Sequence, residues 1–153
     1  MPMNKASQSG FTLLEVLVAI VVVSLGLLGL AGLQAATLRN NQNAYYRAVA
    51  TQQTYDIADR IRANQAGVAA GSYNNLTGVI PADPDCVTGA CTPANIAVAD
   101  HSQWNNNNAR MLPNGVGTVV SVAGGGFDID IRWSERVEAG APVTQSFVTR
   151  VMP

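Results

Sequence analysis

The residues best placed to do chemistry lie near the front of the chain, where Gly10-Phe11-Thr12-Leu13-Leu14-Glu15 opens a long uncharged run. Glu15 is the sole charge between Gly10 and Leu33. A carboxylate carried to membrane depth costs about 2.5–3.5 kcal/mol, so it needs a partner or a purpose. A cut between Gly10 and Phe11 would supply one, because it would create an amine at Phe11 with Glu15 one helical turn further on. That amine and the carboxylate of a second copy could neutralise each other in lipid or in a packed helix bundle, where neither charge is tolerated alone. An ordinary secretory signal would carry its small-residue cleavage site after the apolar run, not ahead of it.

Other candidates are weaker. Cys86 and Cys91 bracket the short segment C-V-T-G-A-C, which could close as a disulfide loop in an oxidising compartment. The alternative, a metal site, needs more ligands than two cysteines and the lone His101 provide, so the disulfide is the expectation. Asp83 and Asp85 flank Pro84 and could bind calcium, although solvated loop acids are far commoner. Asp128 and Asp130 resemble a paired-carboxylate site, but they alternate with Phe127, Ile129, Ile131 and Trp133, which puts both on the wet face of a strand. His101 has no nucleophile or metal spacing around it and reads as a surface or structural histidine. No nucleophile, base and orienter stand in a plausible array. The chain is therefore expected to be no enzyme, with no catalytic residue, cofactor or metal.

Val16 to Leu33 gives eighteen residues without a charge, about the shortest run that can span a bilayer, where roughly 20 residues cross the core. Lys5 and the starting amine precede this run and the next basic residue is Arg39, a bias that holds the front in the cytoplasm and sends the remainder, cysteines included, outward. Gly26, Gly29 and Gly32 weaken a water-exposed helix but let backbones approach closely in a membrane or bundle. From Gln34 to Asn64 the pattern turns amphipathic, with Tyr46, Val49, Ala50, Ile57 and Ile61 on one stripe and Asp56/Arg60 as a surface pair. A helix continuous from Phe11 to Asn64 has 54 residues. At 1.5 Å per residue it is about 80 Å long, more than a small domain can bury. Asn64 and Gly67 supply its stop.

Val68 to Asn114 reads as loop-rich, the polar run Asn105–Asn108 included. A short helix is predicted after Cys91, capped by Thr92, with Pro93 first and Ile96, Val98 and Trp104 facing inward. Three strands follow: Thr118–Ala123, a turn at Gly124–Gly126, then Phe127–Trp133, a turn through Glu138–Pro142, and Thr144–Val151. The expected class is α+β, one long N-terminal helix with a small antiparallel sheet laid over its outer half. Of 153 residues about 85 remain for one compact domain, small enough to lean on a helix, a disulfide or a partner. A net charge of −1 with scattered arginines does not suggest nucleic acid.

The segment from Gly10 to Ala19 resembles the type IV prepilin cleavage and methylation signal of pilins and pseudopilins. The resemblance implies cleavage between Gly10 and Phe11 by a prepilin peptidase, N-methylation of Phe11, and a role for Glu15 in docking into a helical filament. It extends further. S-L-G-L-L-G-L-A-G-L-Q, D-I-A-D-R-I-R-A-N, the cysteine block with Trp104, L-P-N-G-V-G-T-V and I-D-I-R-W resemble, in order, the type IV pilus modification (PilV-type) minor pilins. That implies residues 1–10 as a removed leader, 11–33 as the membrane and filament-core helix, 34–66 as its amphipathic continuation and 67–153 as a periplasmic headgroup. The implied partners are other minor and major pilins, the peptidase and the inner membrane, and the implied role is initiation of pilus assembly near the tip. The alternatives are a type II secretion pseudopilin and a periplasmic domain on an uncleaved single-pass anchor. Val68 to Asp85 carries no pattern of the family.

Overall fold

The structure, a computed structural model, describes residues 10–136 and 140–153. Lys5 and the Glu138–Ala139 part of the expected turn lie outside the described residues. The chain divides into two compact units, one through Asn40 and one from Asn41 to Pro153, and each is described by itself.

The first unit is helix. Helix α1, Leu13–Ala63, starts two residues later than expected, because Thr12 closes its first turn instead of joining it. As far as Asn40 no residue of it is buried. Leu, Val and Ile make up most of this stretch, and after Glu15 nothing polar interrupts it beyond Ser24, Gln34 and Thr37 before Arg39. The two hydroxyls donate back to the carbonyls of Ile20 and Leu33, so they add no unmet hydrogen-bonding demand. By length and composition the helix can cross a membrane.

In the second unit, the expected stripe of α1 meets a core. Val49, Ala50, Ile57, Ala58 and Ile61 are buried and Tyr46 is half-buried against them. The helix gives way at Asn64, whose side chain accepts from Gly67 N and caps a second helix, α2, Gln65–Ala69. The sheet has four antiparallel strands in sequence order, one more than expected: β1 Asn75–Leu76, β2 Val116–Val122, β3 Gly126–Glu135 and β4 Val143–Val151. The extra strand pairs Asn75 with Val120 and Leu76 with Val119. Alternation holds on β3, where Phe127, Ile129, Ile131 and Trp133 are buried against the helix stripe.

The largest departure from expectation is helix α3, Pro93–Met111, which runs for 19 residues where only a short helix and a polar loop were expected. Thr92 caps it through Asn95 N, with Pro93 at its start, as the sequence suggests. Trp104, fully buried, sets its phase. Residues seven and three before it and four after it, Ala97, His101 and Asn108, therefore face inward, and Val98 does not, being 38% exposed. Ile96 is only half-buried. The polar run continues the helix because two of its amides, Asn105 and Asn108, are buried and bonded inside. Asn105 accepts from Gly117 N at 2.7 Å and donates to Gly117 O at 3.0 Å, and Trp104 Nε1 donates to Gln53 O at 2.9 Å. Gly117 must be glycine here, since a Cβ would drive into the Trp104 ring and the Asn108 amide.

Candidate processing and assembly site

The front of α1 is built by a cap. Thr12 Oγ1 accepts from Glu15 N at 3.3 Å, and Thr12 O accepts from Glu15 N at 3.1 Å and Val16 N at 3.3 Å. Thr-x-x-Glu is the sequence signature of a capping box, and the reading from residue types overlooked it. Glu15 thus sits in the first turn, where the positive end of the helix dipole favours a carboxylate. Gly10, Phe11 and Thr12 lie outside the helix, and Phe11 is 84% exposed. The Gly10–Phe11 bond is therefore in irregular, open backbone, and a Cβ on Gly10 would meet nothing within 4 Å. Gly26, Gly29 and Gly32 are equally open, each a place where another backbone could come close.

The remaining candidates fall in the second unit, away from one another in role. Cys86 and Cys91 are joined as a disulfide, with their Cα atoms 5.4 Å apart. The loop it closes leads directly into the Thr92 cap of α3. Asp83 accepts from Asp85 N and from Gln103 Nε2, and Asp85 accepts from the Thr88 hydroxyl, so local groups occupy both carboxylates. Among the described residues no group of three or more His, Cys, Asp or Glu is placed to hold a metal ion. His101 is buried and its Nε2 lies 2.7 Å from Thr77 O, a structural bond tying α3 to the segment after β1. Asp128 and Asp130 do not converge on a cleft. Arg150 donates twice to Asp128, at 2.7 and 2.9 Å, and holds its pKa below the ordinary carboxylate value, while Asp130 is bonded by Arg132.

Asp56/Arg60 is more than the surface pair expected. Arg60 also donates to Asp100 and Gln103, both at 3.2 Å, and the Tyr73 hydroxyl donates to Asp100 at 2.6 Å. Asn64 Nδ2 donates to Tyr73 Oη and to Pro93 O. One polar cluster thus fastens the ends of α1 and α3 together. Burial, followed by the bond to Asp100, raises the Tyr73 pKa and keeps the phenol neutral. Burial alone would lower the Arg60 pKa, and Asp56 and Asp100 outweigh it. No local motif announces such a cluster, because bonded partners in it lie up to 43 residues apart.

Residues 5–31 match the family model for the prokaryotic N-terminal methylation motif. No curated protein and no solved structure matches the chain. The match makes the N-terminal segment a type IV prepilin-like signal and supports a type IV pilin-like or pseudopilin protein. Such a signal implies processing by a prepilin peptidase and assembly with other pilins, and with the long apolar helix it fits anchoring in the inner membrane. The architecture, a long N-terminal helix whose outer part packs on a four-stranded antiparallel sheet, is the α+β pilin-like fold.

Proposed function

We propose that the chain is a non-catalytic minor pilin of the type IV pilus, of the pilus-modification (PilV) type, acting near the tip in the initiation of assembly. Residues 1–10 form the leader, the peptidase cuts between Gly10 and Phe11, and Phe11 is N-methylated. Residues 11–33 then serve as membrane anchor and filament-core helix, 34–66 continue them, and 67–153 form a periplasmic headgroup stiffened by Cys86–Cys91. Glu15 pairs with the terminal nitrogen of a neighbouring subunit and so sets axial register, a pairing that removes two charges neither of which lipid tolerates alone. The observation that carries this reading is the coincidence of the methylation-motif match over residues 5–31 with an exposed Gly10–Phe11 bond and a first-turn Glu15.

A type II secretion pseudopilin is the second reading, favoured by the fact that the matched motif is one both classes share. The cysteine block followed by Trp104 and L-P-N-G supports the pilus reading, and co-purification with pilus or with secretion components separates the two. Mass spectrometry of the mature N-terminus tests what they have in common: the expected species begins at methylated Phe11. A chain retaining Lys5 would overturn both. Glu15→Ala is expected to leave export and cleavage intact and to abolish entry into the filament, read as loss of the subunit from sheared pili.

A further inference from the structure

The two edges of the sheet are finished differently. On the β2 side, β1 pairs with Val119 and Val120, Asn74 O accepts from Ser121 N, and the Asn105 amide takes both the N–H and the C=O of Gly117. A side chain and a two-residue strand therefore close that edge, one of the ways proteins prevent unwanted strand pairing. On the other side β4 runs for nine residues, Val143–Val151, paired one for one with β3 and without a bulge. Among the described residues no group bonds to its outer edge. Of the usual blunting devices only one charge, Arg150, is present, and V-T-Q-S-F-V-T-R-V contains no proline, glycine or lysine.

We propose that the outer edge of β4 is a docking site for an extended, uncharged segment of another polypeptide, which adds as a fifth strand. The open row of backbone donors and acceptors fixes the occupant as extended chain. Charge fixes the rest. Arg150 is the only ionisable side chain of β4 and Asp128 already neutralises it with two bonds, so a charged segment would find no counter-charge there. Phe147 and Val151 pack against the core yet stay half-buried at its rim, and alternate apolar side chains of the added strand would cover them. Val148, 58% exposed on the opposite face, is free to take a cross-strand neighbour as well.

Hydrogen exchange on the full chain in detergent micelles tests this, with a synthetic acetylated heptapeptide of alternating threonine and valine as the probe. Without the peptide, the outward half of the β4 amides should exchange rapidly while those bonded to β3 stay protected. With it, the outward set should slow by about tenfold once the peptide stands at about ten times its dissociation constant. The same peptide N-methylated at every residue, which leaves no N–H donor on either edge, should give no protection. Equal protection by both peptides, or by neither, overturns the proposal. So does protection without peptide that rises with protein concentration, since a second copy would then hold the edge.

Discussion

Leu28 and Ile57 are large aliphatic residues of the same helix, yet Leu28 is 70% exposed and Ile57 is fully buried. The contrast extends to whole regions. From Leu13 to Asn40 the chain buries nothing of its own, whereas from Val49 onward the helix shares a core with Trp104, Ile129, Ile131 and Trp133. Hydrophobicity alone thus does not tell a core from an anchor. The outer part has tertiary partners matched to its stripe. The inner part is apolar all round, the pattern of a helix meant for lipid or for other helices.

The strongest test of the contrast is a pair of truncations. Trp104→Ala should destabilise the second unit by about 3–5 kcal/mol in denaturant unfolding, since it deletes a fully buried indole and the bond to Gln53 O. Leu28→Ala should leave that same transition within about 0.5 kcal/mol of wild type. A comparable loss from both would mean the two regions are not energetically distinct. Reduction of Cys86–Cys91 should remove about 2 kcal/mol, the magnitude expected for releasing so short a loop. It should lower the same unfolding midpoint without altering the N-terminal helix signal.

The smallest effect is the most specific. Tyr73→Phe should cost about 1 kcal/mol, because Arg60 still serves Asp100 and Pro93 O still serves Asn64 when the hydroxyl is gone. The native Tyr73 pKa is raised above its ordinary 10.0. Wild type should therefore keep its full stability below that pH and lose some as pH climbs past it, while the Phe variant lacks this part of the alkaline decline. An identical alkaline limb in both proteins would show that Tyr73 is not what titrates.

Much of this was legible beforehand, and the misses share a cause. The apolar run, the stripe from Tyr46 to Ile61 and the alternation on β3 are periodic, and periodicity survives into the fold. Asn105 and Asn108 read as loop because asparagine disfavours helix interiors. What keeps them helical is tertiary: Asn105 satisfies Gly117 and, with His101, Thr77 O, while Trp104 needs a glycine opposite it. β1 was missed because two residues carry no period. Arg60 looked like decoration since only its i−4 partner is visible along the chain. At the front, Gly10, Phe11 and Glu15 were found from residue type, but Thr12 was passed over, being a modest residue whose importance is purely geometric.

Thr12 also separates two events that could have been entangled. The first-turn bonds given by Glu15 and Val16 both end on it, so severing the peptide link ahead of Phe11 takes none of them away. Precursor and trimmed chain would then share one conformational ensemble from Thr12 onward, differing in length and in where a positive charge resides. Any difference in how the two polymerise would report the extra segment or that relocated charge, and not a refolded rod.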